Sequence, residues 1–257
     1  MNIDLTDPAD PRLTDFVGLR DAQLRRSTDR FIAEGLKIIE RSFAAGCTPR
    51  SLLLQPRWLD GVLPLLAGSP EVPVYVGTEK MIEQVSGFHV HRGALGSFDR
   101  PAEASWDDLL AARRLIVCQD TVDHANLGAI IRLAAGLGWD GLVVSPGSAD
   151  PLYRRAIKAS MGASLELPWL RMAGEGDLER LRAAGFTVAA STISPRAVSI
   201  DDYQPPGKLA LLLGAEGDGL SADWLAEADV HLTIPMTDRV DSLNVATAAA
   251  ILAHALR

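Results

Sequence analysis

From about residue 114 to the end, short apolar runs alternate with segments of helical character. "LIVC", "GLVV", "TVAAS", "LALLL" and "HLTI" are separated by helical stretches beginning at Leu127, near Leu152, at "DLERLRAAG" and after Leu220, and a last helix closes the chain. Strands that are apolar on both faces lie inside a sheet covered on both sides, and helix-length connections suit parallel strands. The expectation is an α/β fold, a mainly parallel sheet with helices on both faces.

Ligands of such sheets bind where loops leave the carboxyl ends of strands. Three of these loops are rich in glycine and polar groups. The first, "DTVDHANLGAIIRLAAGLG", puts Asn126 where a helix begins, as a candidate N-cap, and sets Arg132 among apolar residues. That arginine can rest its stem on the fold with its head in solvent, or it can hold a phosphate or a developing oxyanion at a cleft mouth. The second, "LLLGAEGDGLS", encloses Glu216 between Gly214, Gly217 and Gly219. It lacks the Gly-Lys-Ser/Thr of a phosphate-binding loop and the spacing of a dinucleotide fingerprint, and a carboxylate there suits a cationic group rather than an anion. The third, "IPMTDRVDSLNVATAAAILAHALR", breaks a strand at Pro235, leaves loop backbone free, and enters an alanine-rich helix that Ser242 or Asp241 can cap. Asn244 is expected inside the first turn, turned back toward the same cleft.

Of the 257 residues 47% are hydrophobic, enough for an ordinary core. The amino terminus is acidic with no apolar run, and no window approaches the roughly 18 apolar residues of a spanning helix, so a cytoplasmic protein with no membrane partner is expected. Cys47 and Cys118 sit in apolar contexts and read as buried small side chains. His89 and His91 could share a strand face, but without a third ligand nearby no metal is expected. The net charge of −8 argues against a polyanionic partner on average. Two local clusters oppose that average: Arg12, Arg20, Arg25, Arg26 and Arg30, and then Arg154, Arg155 and Lys158.

The first hundred residues form a smaller α/β unit. "DRFIAEGLKIIERSFAAG" carries Phe31, Ile32, Gly35, Leu36, Ile39 and Phe43 at near-helical spacing and stops at Gly46. "SLLLQP" and "PVYVGT" read as short buried strands, and "TEKMIEQVSG" as a helix. Between Gly96 and Ala112 no sustained pattern appears, which places a domain boundary near residues 100–106.

Taken in order, the loop from Asn126 to Arg132, "LGAEGDGLS", and "IPM" followed by "SLNVA" resemble the SpoU, or TrmH, family of RNA ribose 2'-O-methyltransferases of the SPOUT superfamily, over roughly residues 115–257. "FIAEGLKIIERSFAAG" is similar, more weakly, to that family's ribosomal-protein-like (L30e-like) substrate-binding domain. The resemblance implies a carboxyl-terminal trefoil knot, a homodimer whose second copy completes each site, and S-adenosylmethionine as cofactor. It implies an RNA substrate, ribosomal RNA ahead of transfer RNA, gripped by a domain over residues 1–104 and methylated by one over 105–257. Carried onto this sequence, Asn126, Arg132, Ser242 and Asn244 are the expected catalytic residues. Leu213, Gly214, Glu216, Gly217, Ile234, Met236, Ser242, Leu243 and Asn244 are the expected cofactor contacts, and Arg25, Arg26, Arg30, Arg154, Arg155 and Lys158 the expected phosphate contacts. The sequence departs from the family at Ala215, where many members have asparagine, and in "TDRVD", where a glycine is common. Two rivals are a noncatalytic RNA-binding relative and an unrelated nucleotide-dependent dehydrogenase; the late, wrongly spaced glycines oppose the second.

Overall fold

The computed structural model describes residues 2–19, 28–87, 93–174 and 176–257, so Arg20, Arg25, Arg26, His89 and His91 lie outside the described residues. In chain order the elements are β1 (Asn2–Asp4), β2 (Arg30–Glu34), α1 (Leu36–Ala44), β3 (Pro49–Leu54), α2 (Leu59–Val62), β4 (Val74–Val76), α3 (Glu79–Ser86) and β5 (Ala94–Asp99). There follow α4 (Trp106–Leu110), β6 (Arg114–Cys118), α5 (His124–Leu137), β7 (Gly141–Val144), α6 (Arg154–Ala159), β8 (Trp169–Arg171), α7 (Asp177–Ala183) and β9 (Thr187–Ser191). The last are β10 (Val198–Ser199), β11 (Leu209–Leu213), α8 (Ala222–Ala226), β12 (Val230–Thr233) and α9 (Val245–Ala255). Two compact units result: Met1–Ala102 with Leu152–Leu165, and Glu103–Pro151 with Glu166–Arg257.

In the first unit the described strands form a mixed sheet in the order β1-β4-β3-β5-β2, with β5 antiparallel to both β3 and β2. One face packs Ile32, Leu53 and Leu95 against Phe16, Ile82 and Val85. Phe31 and Phe98 stack at 5.6 Å, with Phe43 of α1 edge-on to Phe98 at 5.3 Å. The helix expected across residues 29–46 is therefore corrected at its start. Residues Arg30–Glu34 are a strand, because Phe31 and Ile32 feed cores on opposite faces, and Gly35 at φ 94° turns the chain into α1. The stretch after Gly96 is also not patternless. Ser97 is buried in β5 because its hydroxyl donates to Asp15 Oδ2 at 2.6 Å, and Ser105 with Asp108 makes a reciprocal capping box that starts α4.

The second unit holds a parallel sheet in the order β10-β12-β9-β11-β6-β7-β8 among the described residues. This is the expected architecture. Alternate residues such as Leu115, Val117, Ala210 and Leu212 pack with Leu178 and Leu181 of α7 and Trp224 of α8. Ile116, Leu142 and Leu211, buried on the opposite parity, require cover on the other face. Helices α5 and α9 lie outside the first cluster and pack on one another, with the Trp139 indole donating to the Ala253 carbonyl at 3.0 Å. The chain thus enters β12 between β10 and β9 and then returns to finish beside β6, where Arg114 Nε donates to the Leu256 carbonyl at 2.9 Å. Among the described residues no helix is long and apolar enough to cross a membrane.

Cys118, fully buried at the end of β6, has its thiol pushed up to about 12 by burial. In the unfolded chain the thiol deprotonates near 9.0, so the stability gained by keeping it protonated is complete below that pH and is lost between about 9 and about 12. Cys118→Ala is expected to flatten the alkaline fall in stability. Urea midpoints measured from neutral pH upward, compared by slope rather than absolute value, check this.

Candidate active site

Strands β6 and β11 run parallel with Cys118 opposite Leu213, so their following loops leave the sheet side by side. Strands β9 and β12 end next to them. The loops enclose a cleft of about 540 Å³, within the range of small-molecule sites. Leu213, Gly214, Glu216, Gly217, Ile234, Met236, Ser242, Leu243 and Asn244 all line it.

Gly214 sits where the backbone leaves no room for a side chain. A Cβ there would lie 2.1 Å from Gly219 C and 2.2 Å from Leu220 N, both backbone atoms. The turn closes with Ala215 N donating to Gly219 O at 3.0 Å and Gly219 N to Ala215 O at 3.1 Å. Glu216 is presented at its tip.

Asn126 is not the cap of α5. Asp123 takes that place, accepting from Ala125 N at 2.7 Å and Asn126 N at 2.9 Å, because its carboxylate satisfies two orphan amides at once. Asn126 is not itself in the cleft lining but reaches a residue that is: its Nδ2 donates to Glu216 Oε1. At α9 the cap is Asn244 rather than Ser242 or Asp241. Its Oδ1 accepts from Ala246 N at 3.0 Å and Thr247 N at 3.3 Å. Its Nδ2 donates to Asn126 Oδ1 at 3.1 Å and Glu216 Oε1 at 3.0 Å. Aspartate could cap the helix but has no proton to donate, and serine has one; the amide supplies two, which matches the two acceptors that Asn244 Nδ2 reaches. Three loops are thereby joined through Asn126, Glu216 and Asn244.

Arg132 is exposed on α5 and is not part of the cleft lining of its own chain. It stands six residues beyond Asn126, about 9 Å further along the helix and on another side of it. The cleft also includes Ser191, Thr192 and Ile193 at the end of β9, which the sequence reading did not single out. Their only signal was a strand end, and β9 becomes a neighbour of the site through strand order. Among the expected phosphate contacts, Arg30 donates to Asp15 at 2.7 Å. Arg154 and Lys158 both donate to Glu34, at 2.9 and 2.8 Å, while Arg155 is exposed on α6.

Residues 113–254 match the model of the SpoU rRNA Methylase family. The chain is 40% identical to an uncharacterized tRNA/rRNA methyltransferase of Mycobacterium tuberculosis, over 96% of this chain and 89% of the relative. It is 26% identical to the Bacillus subtilis 23S rRNA guanosine 2'-O-methyltransferase RlmP, over 96% of each chain. A solved rRNA methyltransferase from Sinorhizobium meliloti with AdoMet bound superposes with a TM-score of 0.84 at 27% identity, covering 100% of this chain and 97% of that one. With a family match over more than half its length and a relative of this similarity along nearly all of it, the chain belongs to the SpoU rRNA methylase family.

Proposed function

We propose that the protein transfers a methyl group from S-adenosylmethionine to a ribose 2'-hydroxyl of RNA, with ribosomal RNA as the substrate. The joining of Asn126, Glu216 and Asn244 beside a cleft of cofactor size carries this reading. The residues fit the cofactor. Leu213, Ile234, Met236 and Leu243 offer apolar wall, Gly214, Gly217 and Gly219 let backbone line the cleft, and the Glu216 carboxylate suits a cationic group. Ile234 to Leu243 lies beyond the ladder of β12, so its backbone polar groups are not committed to that ladder. When bound, the cofactor supplies an electrophilic methyl group on a sulfonium, and no metal is required.

The chain's own residues orient the ribose and manage charge. Glu216 Oε1 accepts from both asparagine amides and so fixes their orientation. The planar Arg132 guanidinium suits holding an RNA phosphate and stabilising the 2'-oxygen as its proton passes to solvent. Arg132, exposed on α5 and outside the cleft lining, is assigned in this reading to the cleft of a second copy in a homodimer, as the family resemblance implies. The return of the chain across the sheet after β12 supports the trefoil-knotted topology expected of such an enzyme. The domain over residues 1–104, together with the α6 segment that clusters with it, grips the RNA, with Arg25, Arg26, Arg30, Arg154, Arg155 and Lys158 as phosphate contacts. The similarity to named rRNA methyltransferases favours the ribosomal target.

The test is incubation with methyl-labelled S-adenosylmethionine and ribosomal or transfer RNA lacking this modification, followed by nuclease digestion and mass spectrometry. A ribose-methylated nucleotide in ribosomal RNA is expected. Label in transfer RNA alone would correct the substrate, and cofactor binding without transfer to any RNA would favour a noncatalytic relative.

A further inference from the structure

Asn126 is placed by the turn between β6 and α5, and this turn is fastened to a second loop. Asp120 takes φ 47°, uncommon for a residue with a side chain, and its N–H donates to Ser145 Oγ at 2.8 Å. The Ser145 hydroxyl donates to Asp120 Oδ1 at 2.7 Å. Thr121 N–H donates to Ser148 Oγ at 3.2 Å, and Ala149 N–H to the Thr121 carbonyl at 2.9 Å. Two residues later Asp123 caps α5, and Asn126 follows in its first turn. At Gly147 a Cβ would lie 2.3 Å from Asp120 Oδ1, so the two loops are in contact along their length.

The far side of the second loop is held by one side chain. Arg171, at the end of β8, donates from Nη1 to the carbonyls of Ser145 and Ser148, both at 2.8 Å, and of Pro146 at 3.3 Å. Its Nη2 donates to the Ala149 carbonyl at 3.0 Å. Ser145, Ser148 and Ala149 therefore each turn a carbonyl to Arg171 and another polar group to the 120–121 turn. A planar guanidinium can serve several fixed acceptors at once, and a lysine ammonium on a flexible stem cannot hold the same set.

We propose that Arg171, which has no place in the cleft lining, is a positioning residue for Asn126, acting through the 145–149 loop on the turn that starts α5. The inference deepens the methyltransferase reading and rests on it for its kinetic test alone. In Arg171→Ala the turn loses its backing and the Asn126 amide loses alignment with Glu216 and Asn244, whereas the cofactor cleft is built from other loops. Misplacement of this order lowers turnover by about 10- to 100-fold.

Steady-state methylation by wild type, Arg171→Ala, Arg171→Lys and Ser148→Ala, with calorimetric cofactor binding, tests this. The expected result is a lower kcat, cofactor affinity within about twofold of wild type, partial recovery of Arg171→Ala by millimolar guanidinium, and smaller losses in the other two variants. Unchanged kcat in Arg171→Ala, or a loss that runs with cofactor affinity and does not respond to guanidinium, overturns the proposal. Hydrogen exchange gives a readout free of activity: the amides of Asp120, Thr121 and Ala149 should exchange faster in the variants, and unchanged protection overturns the proposal as well. If wild type methylates no RNA, the functional reading fails, while the exchange result still decides the positioning claim. Should Arg171→Ala not fold, Arg171→Lys and Ser148→Ala carry both measurements.

Discussion

Gly214→Ala is expected to abolish useful cofactor binding while the parallel sheet still folds. The added methyl would sit 2.1 Å from the Gly219 carbonyl carbon and 2.2 Å from Leu220 N, far inside contact distance. An overpacked methyl costs about 1–3 kcal/mol where side chains can give way. Here the obstacles are backbone atoms of the same turn, so the pair of hydrogen bonds between Ala215 and Gly219 must open, and Glu216 moves with them. A cost near the upper end corresponds to about a 100-fold weaker dissociation constant. The strain is taken up in a loop, so the unfolding midpoint should change much less than affinity. Gly217→Ala is the control: its φ of 89° penalises a side chain, but a Cβ there meets nothing within 4 Å. Calorimetry with S-adenosylmethionine separates the two, and wild-type affinity in Gly214→Ala would remove the turn from the site.

Arg132→Ala and Asn126→Ala are each expected to lower turnover by about 100-fold or more, as loss of a positioned electrostatic or hydrogen-bonding group does. Neither should cost much stability, since Arg132 is exposed and Asn126 is half-buried on the cleft side of α5. Mixing the two inactive variants distinguishes action within a chain from action across a dimer. A mixed dimer would pair the intact Asn126 of one copy with the intact Arg132 of the other at one of its two sites. With random assortment about half the dimers are mixed, so about one quarter of wild-type activity should return. Activity of the mixture no higher than the mean of the separate variants would place Arg132 in its own chain's site or outside the chemistry. Near-normal turnover by Arg132→Ala alone would remove it from the reaction.

Much of the second unit was legible because a parallel sheet writes itself locally. Continuous apolar runs such as "LALLL" have few alternatives, and the loops leaving them carry glycine and amide groups at fixed places. The amino-terminal unit was less legible. Phe31, Ile32, Leu36 and Ile39 satisfy a helical period by coincidence, and the choice of strand for the first two depended on partners in β5 and α1. Strand β5 itself was hidden because its buried Ser97 is satisfied by Asp15, a partner 82 residues away. Caps showed a finer limit. Asparagine, aspartate and serine all suit an N-cap, and which of Asp123 or Asn126, and of Ser242 or Asn244, takes the position depends on what else each side chain can reach.

The sequence by itself determined the alternation of strands and helices, the three loops at strand ends and the residue types in them, because propensity, apolar period and turn chemistry act over a few neighbours. Only the tertiary structure decided that β9 sits between β12 and β11 and brings Ser191 to Ile193 into the cleft, that one Glu216 oxygen gathers amides from two other loops, and that Arg171 backs the turn before Asn126. Those contacts join residues tens to more than a hundred positions apart, and hydrogen bonds of that range follow from strand order and chain crossing, which no local period encodes.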